Sequence, residues 1–119
     1  MKREDFLNKP VVHMQLKPQM TVNQLIKQFK NSGSFGAGRL AEACDIYEKM
    51  VRDKECTVFL ALAGAMVPAG LRATIADLIR KRLIDALVST GANMVHDLIE
   101  SLGGHHYQGH WFVDDYLLY

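Results

Sequence analysis

Two cysteines, one tryptophan and three prolines are all that this chain of 119 residues holds of those types. A pair of cysteines, Cys44 and Cys56, is too few for a disulfide framework and fits a reducing compartment. Each lies in an apolar context, Cys44 on a helix face and Cys56 ahead of an apolar run. Both are expected to be buried small hydrophobes, with a reactive thiol as the alternative. An excess of charge of either sign is also missing: the formal net charge is +1. Apart from Arg80-Lys81-Arg82 the basic residues are interspersed with acids, so the basic stripe of a nucleic-acid surface is absent. No run is long enough to cross a bilayer. The longest, Val58 to Leu71, is broken by Gly64, Pro68 and Gly70. Arg3, Glu4, Asp5, Lys9 and Pro10 leave no room for the apolar segment of a secretory signal. The expectation is a cytoplasmic chain with no nucleic-acid or membrane partner, and at 49% hydrophobic residues it can bury a core.

The stretch from Asp85 to His106 organises the rest. Ala86-Leu87-Val88 is a short apolar run, Ser89-Thr90-Gly91-Ala92-Asn93 a loop of small residues, and from Met94 onward Leu98, Ile99 and Leu102 recur at helical spacing. A strand, a tight loop and a helix bring backbone N–H groups and a positive dipole end to the strand's C-terminal edge, where an anion or a nucleotide can settle.

Residues 1–20 read as an extended arm, packed on another surface or partly disordered. Thr21-Val22-Asn23-Gln24 has the form of a capping box, Leu25, Ile26 and Phe29 form an apolar face, and Gly33 supplies a stop. Gly36-Ala37-Gly38-Arg39-Leu40-Ala41 matches the letters of a dinucleotide fingerprint, but a helix precedes it instead of a strand, so a flexible linker is the better reading. A helix is expected over Arg39 to Arg52, with Leu40, Cys44, Tyr47 and Val51 inward. Thr57 to Ala63 reads as a strand buried on both faces, because it does not alternate with polar residues. The small-residue loop Gly64 to Gly70 closes it, and Leu71 to Arg82 is the crossover helix. The expected class is α/β with a Rossmann-like parallel sheet and flanking helices, residues 21–119 forming part of such a domain. Two parallel strands leave open edges, an expectation that the 119 residues belong to something larger.

His105, His106 and His110 lie close together, but Gly103, Gly104 and Gly109 argue against a helix that would gather them on a metal, and no further ligand stands at metal spacing. No metal is expected. His96, beside Asp97 in the helix after the Gly91 loop, is either a polar group aimed at the loop edge with Asp97 steadying its charge, or an exposed helix residue. No nucleophile–base arrangement is present, so no catalytic residue is assigned.

Three segments carry a family resemblance: Val58 to Arg72, Ile84 to Asn93 with its Ser-Thr-Gly-Ala-Asn run, and Asp97-Leu98-Ile99-Glu100. Together with Phe35 to Ala43 they resemble the N-terminal part of deoxyhypusine synthase. The Met94-Val95-His96 form is similar to a prokaryotic deoxyhypusine synthase-like branch, some of whose members resemble homospermidine synthases. That resemblance implies an NAD-dependent transferase: NAD oxidises spermidine, and an aminobutyl group passes through an imine on an enzyme lysine to a protein lysine acceptor. It also implies a cytosolic homotetramer with its sites at subunit interfaces. By position, the cofactor loops would be Gly64, Ala65, Met66, Val67 and Pro68, then Thr90, Gly91 and Ala92, with His96 toward the substrate. Two positions depart from the family. Gly64-Ala65 replaces a Ser-Asn pair, and Val95-His96 replaces two adjacent glutamates that hold the polyamine's ammonium groups. The family's nucleophilic lysine lies in a C-terminal part, so this chain is expected to act as a fragment or as one chain of a split enzyme with a second half. The alternative is a non-catalytic, NAD-binding or regulatory partner subunit.

Overall fold

The computed structural model describes residues 2–118. Met1 and Tyr119, the outer ends of the expected arm and tail, lie outside the described residues. The chain forms two compact units, Met1–Cys56 and Thr57–Tyr119.

The first unit holds α1 (Arg3–Phe6), α2 (Val22–Ser32) and α3 (Phe35–Arg52). The capping box at the start of α2 forms as expected: Gln24 N–H donates to Thr21 Oγ1 at 3.2 Å, and Thr21 N–H donates to Gln24 Oε1 at 2.8 Å. Gly33 ends the helix in the left-handed region at φ 62°, its N–H returning to the Phe29 carbonyl. The segment ahead of α2 lies along that helix, with Val12 N–H on the Asn31 carbonyl and Gln15 N–H on Gln28 Oε1.

The glycine-rich stretch is not a linker. Gly36, Ala37 and Gly38 lie in the first turn and a half of α3, which begins four residues ahead of the expected Arg39. Gly38 has a packing reason to lack a side chain: a Cβ there would sit 2.5 Å from the Gly33 carbonyl carbon and 2.6 Å from its oxygen. The α2–α3 turn is therefore closed by backbone against backbone. This contact sets the inward face of α3. Ala37, Gly38 and Ala41 (0% exposed) are turned in, and Asp45 pairs with Lys30 of α2. Leu40 is half exposed and Cys44 exposed, against the expectation that both point inward. Small residues, not large ones, let the two helices approach, so the packed face lies one residue away from the one that hydrophobicity alone marks.

The second unit is a parallel pair, β1 (Phe59–Leu62) and β2 (Ala86–Ser89), with Phe59 opposite Ala86 and Leu62 opposite Ser89. The pairing is extended at its entry by Asp85, whose carboxylate accepts from Val58 N–H at 2.7 Å while its own N–H donates to the Val58 carbonyl. β1 is not buried on both faces. Phe59 is 65% exposed, and along the strand exposed residues alternate with half-buried ones. After a turn over Gly64 to Met66 the chain makes one wide helical turn, Val67–Leu71, closed by Leu71 N–H on the Met66 carbonyl. α4 (Arg72–Arg80) then leads back to β2, and α5 (Gly91–Ser101) follows after a single residue, Thr90. α5 starts three residues earlier than the apolar period suggests. α6 (Asp115–Leu118) closes the described chain. The architecture is α/β, with helices and a small parallel two-stranded sheet.

Replacing Gly38 with Ala should force α3 off the Gly33 carbonyl. The expected cost is about 1–3 kcal/mol by overpacking, read as an earlier unfolding midpoint in urea; Gly36→Ala, whose Cβ meets nothing within 4 Å, should leave the midpoint almost unchanged.

Candidate functional site

Both loops named from the sequence leave the C-terminal ends of adjacent parallel strands, and one side chain fastens them together. Asn93, in the first turn of α5, is 2% exposed. Its amide donates to the Ala63 carbonyl at 2.7 Å and its oxygen accepts from Val67 N–H at 3.2 Å. One residue thus bridges both ends of the first loop, and its amide also lies 3.5 Å from Thr90 Oγ1 in the second. The close approach of the loops is visible at Gly64, where a Cβ would sit 3.6 Å from Thr90 Oγ1 and 3.8 Å from the Ala92 methyl.

The structure brings Gly64, Thr90 and Ala92 together at one rim, with Gly91 opening α5 between the last two. Gly64, Ala65, Thr90, Gly91 and Ala92 are exposed. Ala65 holds a left-handed backbone at φ 79°, an uncommon conformation for a residue with a side chain. Met66 and Pro68 are half-buried, and Val67, at 6% exposed, belongs to the core. Thr90 stands at the cap position of α5 but makes no side-chain cap bond. Among the described residues no side chain caps the first N–H groups of α5 at the helix's positive end, the arrangement that takes an anionic oxygen.

Below this rim a cleft of about 740 Å³ opens between α4, α5 and the sheet, with Leu62, Ile75, Ile79 and Leu87 on its apolar side. Of the eight residues that the family resemblance assigns to the cofactor loops, Val67 lines it. Its polar side includes Arg72, Asp97 and Glu100. Arg72 Nε donates to Asp97 Oδ1 at 2.6 Å and Nη2 to Ser101 Oγ at 2.7 Å, and Glu100 Oε2 lies 3.6 Å from Nε. The hydrogen bond to Asp97 is the main reason that the Arg72 guanidinium is held above its ordinary value.

His96 is placed differently from either expectation. Asp97 does not steady it, because Asp97 is taken by Arg72. Its Nδ1 lies 2.9 Å from His106 Nε2, and His106 Nδ1 lies 2.8 Å from Glu100 Oε1. The three loop histidines part company: His106 joins His96, His105 lies edge-on to Tyr107, and His110 stacks with Trp111. Among the described residues no three His, Cys, Asp or Glu side chains gather as a metal site would require.

Three residues of this site carried no functional reading from the sequence: Asn93, Arg72 and Glu100. An Asn at the end of a small-residue loop was the only trace of the first. The others lie twenty-eight positions apart (100 − 72) on different helices, and no spacing rule links them.

A family model described as deoxyhypusine synthase matches residues 24–119. The chain is 56% identical over 103 residues to a protein of Methanosarcina mazei named "Probable deoxyhypusine synthase 1", a match covering 87% of this chain and 32% of that protein. It is 42% identical over 107 residues to a Methanothermobacter thermautotrophicus protein named "Probable deoxyhypusine synthase", covering 90% and 35%. To the "Deoxyhypusine synthase-like protein" of Chlorobaculum parvum it is 39% identical over 116 residues, covering 97% and 33%. The chain thus spans about a third of the length of the curated relatives it matches. No solved structure matches it significantly.

Asn93→Ala should unpair two backbone groups at once, at about 1–3 kcal/mol for each left buried without a partner. Amide hydrogen exchange at Val67 is the local readout, expected to accelerate more than exchange in α3. Unchanged protection at Val67 would show that the loops do not depend on this side chain.

Proposed function

This chain belongs to the deoxyhypusine synthase family, and from that premise we propose that it forms the NAD edge of an aminoalkyl transferase acting on a polyamine. The partner segment is a C-terminal half, in the same polypeptide or in a second one, that carries the nucleophilic lysine. The acceptor is a protein lysine, the assembly a cytoplasmic homotetramer, and the sheet Rossmann-like. The observation that carries the reading is the rim held by Asn93. It sets Gly64 beside Thr90 and Ala92 at the C-terminal ends of two parallel strands, the edge at which parallel sheets take nucleotides.

The residues fit a dinucleotide. Gly64 and Gly91 leave the backbone open, and the first N–H groups of α5 have no side-chain cap to displace. The N–H groups of Gly91 and Ala92 would hold pyrophosphate oxygens, while Gly64, Ala65 and Met66 would border the adjoining part of the cofactor. Pro68 and the buried Val67 support that loop from beneath. Bound NAD supplies a hydride acceptor. The protein's own groups position the donor: His96 stands on the same helix as the rim, about 7.5 Å further along its axis.

Ala92→Asp places a carboxylate where the pyrophosphate would lie. An acid in the first turn of a helix favours folding, so stability should hold while NAD affinity falls at least about tenfold, which is roughly 1.4 kcal/mol. Calorimetric titration of NAD into the chain, alone and together with the C-terminal part of a relative, measures this. An absence of binding in both mixtures would sink the cofactor assignment, and equal affinity for Ala92→Asp would move it away from this rim.

A further inference from the structure

We propose that Glu100, His106 and His96 form a proton relay whose outer end, Nε2 of His96, is a base that takes the proton of a substrate ammonium group. The juxtaposition is assembled from two elements: His96 and Glu100 lie on α5, and His106 comes from the glycine-rich segment that follows it. That segment is folded back closely. Gly104 N–H donates to the Ile99 carbonyl, and a Cβ on Gly104 would sit 2.7 Å from the Ile99 side chain. The return of the chain that brings His106 over α5 therefore needs glycine at position 104.

With Glu100 ionised and both rings neutral, the hydrogen bonds assign the proton positions. A carboxylate can only accept, so His106 donates from Nδ1 to Glu100. A neutral His106 then has a lone pair on Nε2, and His96 must donate to it from Nδ1. The proton on Nδ1 leaves Nε2 of His96 bare. It makes no hydrogen bond to any described residue, on a side chain that is half exposed. A free histidine side chain prefers its proton on Nε2, so the pair is held in the less common tautomer at both rings.

The transfer balances without any further reactant. The lone pair on His96 Nε2 takes H⁺ from R–NH₃⁺, leaving R–NH₂. The His96 Nδ1 proton passes to His106 Nε2, and the His106 Nδ1 proton passes to Glu100 Oε1. The outcome is a neutral amine, two neutral histidines with exchanged tautomers, and a carboxylic acid. The charged groups facing this chain of bonds among the described residues are Arg72 of α4, 3.6 Å from Glu100 Oε2, and Asp97, which Arg72 already holds. His96 is the group that would touch substrate; His106 and Glu100 position it. A neutral amine is the form from which a hydride can leave the neighbouring carbon and which can add to a carbonyl or an imine.

The amine as proton donor rests on the transferase reading above; the relay does not. Long-range ¹H–¹⁵N correlation spectra of the full chain distinguish the two. In the wild type His96 and His106 should both carry Nδ1–H with a bare Nε2. In Glu100→Gln the amide can donate to His106 Nδ1, so His96 should switch to Nε2–H, and His106→Phe should return His96 to the mixture seen for His13. Nε2–H on His96 in the wild type, or no change in Glu100→Gln, would overturn the relay. Spermidine is the probe for the amine: its addition should shift His96 Nε2 at least about tenfold more than the ring of His13. Relay tautomers that stand while spermidine leaves His96 unmoved would overturn the amine role and count against the polyamine reading, with the relay intact.

Discussion

The rim depends on one buried amide. A side chain with a donor and an acceptor, 2% exposed, can bind a carbonyl at the start of a loop and an N–H at its end simultaneously. No apolar residue at position 93 can do this, and a hydroxyl is too short to span both. The low dielectric around Asn93 strengthens each bond and makes an unpaired group costly, so the two loops hold together or separate together. Because Asn93 sits in the first turn of α5, the same contact fixes the helix N-terminus against the first strand's exit. The position of the exposed N–H groups of Gly91 and Ala92 follows from it.

Further along α5 the charges sort into two sets. Arg72, reaching across from α4, draws Asp97 and Ser101 to itself and stands 3.6 Å from one oxygen of Glu100. The other oxygen of Glu100 is thereby turned to His106. The guanidinium's fork geometry thus governs a pair of histidines that it does not touch.

Local rules carried much of this fold, and their failures share one cause. The capping box at Thr21 and the glycine stop at Gly33 depend on neighbours within four residues, which a sequence displays directly, and the strand–loop–helix of 86–101 shows in its local apolar spacing. The start of α3, the outward turn of Cys44 and the partner of His96 depend on contacts between segments. Gly36-Ala37-Gly38 looks like a linker until Gly33 is seen against Gly38. The face of Leu40 and Cys44 looks inward until small residues prove able to approach α2 more closely. The site behaved the same way. Strand exits and small residues marked Gly64, Thr90, Gly91 and Ala92, whereas Asn93, Arg72 and Glu100 act through partners at least twenty-five positions away in two of three cases.

By the family resemblance Val95-His96 stands where an acidic pair would, and on the transferase reading this changes what the edge can do with an amine. Two carboxylates hold a polyamine by charge and keep it an ammonium, since opposite charge favours the protonated form. Here both nearby acids of α5 are engaged, Asp97 by Arg72 and Glu100 by His106 and Arg72. What the helix offers in their place is an imidazole nitrogen backed by a carboxylate through a second imidazole. Such a group binds an ammonium less strongly than two carboxylates and deprotonates it more readily. On the transferase reading, discrimination among amines would then come less from counting positive charges than from placing one nitrogen against His96. An amine with fewer charged groups than a triamine would lose correspondingly little at this position.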